Sequence, residues 1–528
     1  MYYCHRIGAI LLLTFLIPSL AWAQVGGGGG FGGGGGGGAG GGFGGGFGGG
    51  AGGGAGGGNQ NNASGIKIDA EGVVALTVAV DGSGLLDKKR REALAKKHLS
   101  ADLNQRTPQR FVSLVQLERE LNELLRNEQP IPEELFYLAG LQRIEQIFVF
   151  PEEQDLVIAG PAEGFIPDVS GRMVGVETGR PVLRLDDLCV ALRTVPRTKQ
   201  LGCSIDPVPQ RLAELQQFIK QGVPASVEEV EARFNQMDDI LGLQVVRIDG
   251  VPEDSHFATM VVEADYRMKR IAMGLETPAI KGLKSHLQML GGGGNAMQRW
   301  WFIPDYDTIS RSDDGLAFEF SGQRAQLVAE DEVADAQGHR SSAPTTRKTT
   351  HAFARQFTEK FGQLANKSPA FAELQNLIDW SVLAALLQQE RITERIGWKR
   401  ELLLDETRLP HPRFEIPRKT PSQVNYKRVG NQVIGLVGGG VTVNPQRIAA
   451  QTSPPSAKSA ALLASQRIEA AQRITATTAS TTASTTASTA ASTPVAHRWW
   501  WDSPQQAAAV TKTAVTKTAV TKGGRKSP

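Results

Sequence analysis

Two carboxylates stand two residues apart in the segment Glu263-Ala264-Asp265-Tyr266-Arg267. On a strand, side chains alternate between faces, so Glu263 and Asp265 would project from the same side. That spacing suits general acid/base work or metal holding. A solvated face, or pairing with Arg267, Lys269 and Arg270, accounts for the same residues. A second acidic group, Asp305-Tyr306-Asp307 with Asp313-Asp314-Gly315, offers Asp305, Asp307 and Asp313 as hard oxygen ligands of the kind Ca²⁺ takes. Ser310 occupies the position where an EF-hand loop begun at Asp305 requires glycine, so this is no EF-hand loop, and Asp-Asp-Gly is also a turn signal. The third group is aromatic. Trp300-Trp301 and the triplet Trp499-Trp500-Trp501 supply large contact area for peptides or sugars. On a strand, one of Trp300 and Trp301 faces the core. The triplet near the C-terminus either docks on the folded part or binds a partner, and both fit better than sugar stacking.

Stronger signatures are absent from the sequence. It holds no H-E-x-x-H, G-x-S-x-G, G-x-x-x-x-G-K-[ST] or C-x-x-C motif, so no cofactor is implied. The histidines are scattered, and lone ones such as His256 and His286 read as structural or exposed. Cys189 and Cys203 lie 14 residues apart. They form either one disulfide, worth ~3 kcal/mol by loop closure, or two buried thiols. The cysteine spacing alone supplies no geometry to choose.

These residues need a scaffold, and local patterns outline one. Leu85–His98 and Leu114–Leu125 have helical periodicity. Ile144–Phe150 and Asp155–Ala159 flank Pro151-Glu152-Glu153-Gln154 as a hairpin. Leu185–Val195, Gln210–Gln221 and Val227–Leu241 read as helices, and Leu243–Ile248 and Ala258–Glu263 as strands around Gly250-Val251-Pro252. Gln298–Ile303, Ala317–Ser321 and Gln323–Ala329 read as strands after the Gly291–Gly294 break, and Asp335–Thr350 as an exposed loop. Two helices follow. The second starts at Ser368 as cap and Pro369 at the first position, with an apolar stripe from Phe371 to Leu386 that packs on a core. Local strands mixed with helices predict an α+β fold of short antiparallel strands.

The flanks differ in kind. Arg6, an apolar run from Ile10 to Leu20 and Ala21-Trp22-Ala23 have the three parts of a secretory signal peptide over residues 1–23. The run is too short to span a bilayer, and no second apolar run of spanning length follows. Residues 24–62 form a glycine-rich linker, broken by Phe31, Phe43 and Phe47. An α+β domain is expected over 63–290 and a β-rich block followed by helices over 291–445. Residues 446–528 are expected to be a disordered Ala/Thr/Ser-rich tail with T-T-A-S and V-T-K-T-A repeats. The formal net charge is +3, and the basic excess lies in that tail, at Arg498, Lys512, Lys517, Lys522, Arg525 and Lys526.

Several stretches are familiar together: Tyr137-Leu138-Ala139-Gly140-Leu141 with the following hairpin and Gly160-Pro161-Ala162-Glu163-Gly164; Gly179-Arg180-Pro181-Val182-Leu183; Gly202-Cys203-Ser204-Ile205-Asp206-Pro207; Val262 to Lys269; and Arg299-Trp300-Trp301-Phe302-Ile303-Pro304-Asp305-Tyr306. Over roughly residues 64–445 the chain resembles a family of exported planctomycete proteins known only as a domain of unknown function. The resemblance implies export from a bacterial cytoplasm and transfers no catalytic residue.

The leading expectation is therefore an exported envelope or surface protein with a structural or interaction role. Its partner would be a protein or envelope polymer, not nucleic acid. The alternative is an exported hydrolase using Glu263 and Asp265 on a polymer, and a third reading is a periplasmic small-ligand binder.

Overall fold

Runs of β-branched and aromatic residues bounded by turn residues build the strands, and Ser- or Pro-started apolar periodicities build the helices. The computed structural model describes residues 66–76, 85–221, 227–290, 297–423, 437–484 and 498–503. The expected signal peptide, the glycine linker and residues 485–497 and 504–528 of the tail lie outside the described residues.

In chain order, fourteen strands among the described residues make two large sheets: β1 (Thr107–Ser113), β2 (Gln146–Phe150), β3 (Asp155–Ala162), β4 (Leu201–Asp206), β5 (Leu243–Asp249), β6 (Met297–Asp305), β7 (Thr308–Arg311), β8 (Ala317–Ser321), β9 (Arg324–Ala334), β10 (Arg340–Ser342), β11 (Lys419–Pro421), β12 (Val437–Val443), β13 (Thr452–Ser453) and β14 (Trp500–Asp502). One sheet runs β10-β9-β6-β12-β4-β5-β11, and the other β13-β7-β8-β2-β3-β1-β14. Pairing is antiparallel except at β6–β12 and β7–β13. The fold class is α+β, as expected. The Gly291–Gly294 break does not separate two cores, because each sheet interleaves strands from before and after it.

Six helices bear on the core and its charged side chains: α1 (Leu114–Arg126), α2 (Leu185–Thr194), α3 (His256–Ala272), α4 (Lys348–Ala365), α5 (Pro369–Gln389) and α6 (Ala457–Ser484). Burial alternates along β6, with Trp300 and Phe302 inside and Trp301 half-buried. Phe353, Phe357 and Phe361 recur every four residues on α4, which puts them on one helical face. Phe353 packs on Trp300 at 5.1 Å, and Phe357 and Phe361 on Phe302 at 5.8 and 5.7 Å. Burying each such ring contributes roughly 2–3 kcal/mol.

Helix α5 begins with Pro369 at its first turn as expected, but Ser368 makes no side-chain cap. Every residue from Ala370 to Leu387 is buried, so the expected stripe covers the full circumference. This helix is long and apolar enough to cross a membrane, yet it lies wholly inside the fold. Its buried Asp379 is paired: it accepts from Tyr306 Oη at 2.8 Å and Arg324 Nε at 2.9 Å.

Three local expectations are corrected. Ala258–Glu263 is not a strand but part of α3, capped by Ser255, whose side chain accepts from the Ala258 amide. The loop expected over Asp335–Thr350 contains β10 and the start of α4. The tail expected to be disordered from 446 supplies β13, α6 and β14. On α6, Leu463, Gln466, Ala470 and Ile474 are buried at spacings of three and four, a helical stripe. Leu463, Ala470 and Ile474 pack on Phe111, Phe148, Phe150 and Val157 of the second sheet.

Candidate functional site

The helical state of α3 decides the fate of the acidic pair. At 3.6 residues per turn, positions two apart lie roughly 200° apart around the axis, so Glu263 and Asp265 face opposite ways. Both are fully buried. Glu263 accepts from Arg172 Nη2 at 2.6 Å and Arg267 Nε at 2.9 Å. Asp265 pairs with Lys269 Nζ at 2.9 Å, and that ammonium also donates to the Ile205 carbonyl at 3.0 Å. Burial holds Asp265 above the usual carboxylate range, and Lys269 opposes it. The two carboxylates do not converge on a common substrate atom. Tyr266 is likewise buried, and Arg267 bridges Glu263 and Glu276.

The other expected groups have different fates. Asp314 accepts from Ser312 Oγ and the Leu316 amide, and Gly315 follows with φ 62°, so Asp313-Asp314-Gly315 is a turn. Asp305 accepts from Gln323 Nε2 at 3.4 Å, and among the described residues Asp305, Asp307 and Asp313 form no ligand cluster. Cys189 and Cys203 are free and buried, not disulfide-bonded. Burial pushes the Cys189 thiol up to about 12 and that of Cys203 well above its ordinary value, so neither is a ready nucleophile.

The tryptophan triplet docks. Strand β14 pairs antiparallel with β1, placing Trp500 opposite Val112, Trp501 opposite Phe111 and Asp502 opposite Arg110. Asp502 takes Arg110 Nε at 2.6 Å and Nη2 at 3.0 Å, a bidentate charge-assisted pair. Trp500 lies between two guanidiniums, Arg110 at 4.3 Å and Arg498 at 3.6 Å from its ring centroid. Trp501 stacks on Phe111 at 5.7 Å. The Ser113 amide donates to the Trp499 carbonyl at 2.9 Å, completing the strand addition.

A centre not expected from the sequence lies where α2, α3 and α5 meet. Asp187 stands in the first turn of α2, His256 at the first position of α3, and Glu373 one turn into α5. His256 Nδ1 is 2.9 and 3.1 Å from the two Asp187 oxygens. With Nδ1–H donating to Asp187, Nε2 is left as a bare acceptor. It has no hydrogen-bond partner and lies 4.0 Å from Glu373 Oε1. Arg172 Nε is 3.2 Å from that same Glu373 oxygen, and Arg184 clasps Asp186 through Nε at 2.9 Å and Nη2 at 2.8 Å.

All of these side chains are at most 9% exposed, which controls their protonation. Burial, reinforced by Arg184, lowers His256 to about 4, so the ring is neutral. Burial and then Asp186 raise Asp187 well above its ordinary value, and burial raises Glu373. Burial acts in the same direction on Asp186, but the bidentate Arg184 outweighs it and keeps that carboxyl low. Asp187, His256 and Glu373 are the one group of ligand-type side chains among the described residues placed to hold a metal ion. Beside α2, an open hollow of about 360 Å³ is lined in part by Arg193, Arg197, Glu406 and His411.

Residues 203–286 match the model of a family described as a protein of unknown function (DUF1598). The match runs from β4 to just beyond α3 and includes His256, Glu263 and Asp265, but neither Asp187 nor Glu373. No curated protein and no solved structure matches the chain.

Proposed function

We propose that this chain is an exported bacterial protein of the cell envelope or surface, of planctomycete type, whose role is interaction and assembly. The observation that carries the reading is the edge of β1, which takes up the extended segment Trp499–Ser503 as an added strand. Strand addition is a general mode by which folded domains capture extended peptides, with main-chain bonds giving affinity and side-chain contacts giving selectivity. Here the selectivity devices are the Arg110–Asp502 pair and the Trp500 slot. The partner is a protein segment or an envelope polymer. The burial of Glu263 and Asp265 in separate ion pairs speaks against their use as a hydrolytic pair.

The test is co-sedimentation of the chain ending at residue 484, whose β1 edge is open, with bacterial envelope fragments, with soluble sugar and peptide release followed in parallel. Saturable binding without release is expected. Release of soluble fragments in proportion to the added protein would overturn the reading in favour of a hydrolase.

A further inference from the structure

The centre between α2, α3 and α5 carries a charge imbalance. Its buried carboxylates are Asp186, Asp187, Glu263 and Glu373, and its buried guanidiniums are Arg172 and Arg184. At the outer edge Arg267 and Glu276 pair with each other, with Arg270 beside Glu276. Arg267 also pairs with Glu263, so the five carboxylates Asp186, Asp187, Glu263, Glu276 and Glu373 face the four guanidiniums of Arg172, Arg184, Arg267 and Arg270, and one carboxylate is in excess. Uncompensated charge is strongly disfavoured away from water, and must be cancelled by protons or by a bound cation. Beside the excess lies a second, independent feature. His256 Nε2, on a side chain 1% exposed, is an acceptor without a donor, and it faces another acceptor, Glu373 Oε1, at 4.0 Å. Two acceptor atoms 4.0 Å apart in one buried space, with Arg172 Nε 3.2 Å from the Glu373 oxygen, are what a cation can bridge. Imidazole nitrogen and carboxylate oxygen each bind zinc at about 2.0–2.2 Å, so a 4.0 Å separation is within the span of one ion.

We propose that this is a binding site for one divalent transition-metal ion, with His256 Nε2 and Glu373 as direct ligands and Asp187 as the carboxylate that fixes the imidazole through Nδ1–H. One nitrogen with oxygen donors and no thiolate suits Zn²⁺, Mn²⁺ or Co²⁺. An outer carboxylate on the far ring nitrogen is the usual device for setting tautomer and orientation of a ligating histidine. A divalent ion supplies the positive charge that the excess carboxylate lacks. Because it ties α2, α3 and α5 together, the ion would act as an internal staple.

The test uses the full chain, stripped with a chelator and reloaded. Bound metal is counted by mass spectrometry, Co²⁺ ligand-field absorption reports the coordinating groups, and melting is followed with and without Zn²⁺. The wild-type chain is expected to take about one equivalent, to show Co²⁺ bands distinct from the aqueous ion, and to melt higher with Zn²⁺. His256→Gln and Glu373→Gln should lose the Co²⁺ bands, and Asp187→Asn should weaken affinity by about 10–100-fold. A wild-type chain that takes up no stoichiometric Zn²⁺ or Co²⁺, and melts identically with chelator and with zinc, would overturn the proposal and assign charge balance to protons. That comparison needs no variant to fold.

Discussion

Replacing Lys269 by Met isolates Asp265 in the core, and the cost can be worked from the geometry. Lys269 Nζ stands 2.9 Å from Asp265 Oδ2, and neither side chain touches solvent. At an effective dielectric near 20, two unit charges at that distance attract by about 6 kcal/mol, much of it offset by desolvation. Without the ammonium, Asp265 escapes as a neutral acid. Starting from an ordinary carboxyl at 3.8, protonation at pH 7 costs about 4 kcal/mol at 1.36 kcal/mol per unit. That figure caps the loss and agrees with the ~3–5 kcal/mol for breaking buried pairs. The sign is fixed: the variant's native state binds the proton more tightly than its unfolded state, so its stability rises as pH falls. Urea unfolding of Lys269→Met should show a loss of ~4 kcal/mol at pH 7, shrinking by ~1.4 kcal/mol for each unit of acidification. Asp265→Asn added to Lys269→Met should recover most of it, because no charge is left buried. A loss below ~1 kcal/mol that does not change with pH would refute the argument that Lys269 holds a buried carboxylate.

Other outcomes are equally specific. Asp155 is buried, accepts from Ser113 Oγ at 2.6 Å and the Leu156 amide at 2.7 Å, and is raised by burial to about 6. Its native pKa is above its unfolded value, so stability rises as pH falls from about 6 towards 3.8, by up to ~3 kcal/mol. Asp155→Asn should flatten that part of the stability-pH curve. Asp502→Asn should weaken docking of β14 by roughly 2 kcal/mol, seen as faster hydrogen exchange at the Ser113 amide, which donates to Trp499. Gly439→Ala should lower stability by ~1–3 kcal/mol in urea unfolding, since its Cβ would come 2.4 Å from the Trp300 carbonyl oxygen and 2.7 Å from Lys269 Cε.

Elements with strong local signals were legible in the sequence. The β2–β3 hairpin and helix α2 match their apolar runs and turn residues. Helix α3 was misread because Val261-Val262-Glu263-Ala264-Asp265 alternates over a few residues. The correcting signals lay on either side: Ser255 as cap, and Glu263–Arg267 and Asp265–Lys269 at i,i+4 spacing. Strand β12, Val-Gly-Gly-Gly-Val-Thr-Val, lacks the side chains that mark a strand. Tertiary crowding explains its glycines: a Cβ at Gly440 would meet the Cys203 carbonyl at 2.2 Å. The centre at Asp187, His256 and Glu373 joins three helices far apart in sequence, so no spacing rule could reveal it. The available hint was a carboxylate placed inside an apolar helix, as at Glu373 within Phe371 to Leu386.

The claim that the β1 edge is a peptide-accepting surface is tested most directly in trans. A labelled peptide with the sequence of residues 498–503 is titrated, by fluorescence anisotropy, into the chain ending at residue 484 and into the full chain. The account predicts saturable binding to the shortened chain and little to the full chain, whose own segment fills the edge. It also predicts at least about tenfold weaker binding when the peptide carries Asp502→Asn, the cost of losing a charged hydrogen bond. Failure of the peptide to bind a folded, shortened chain would contradict it.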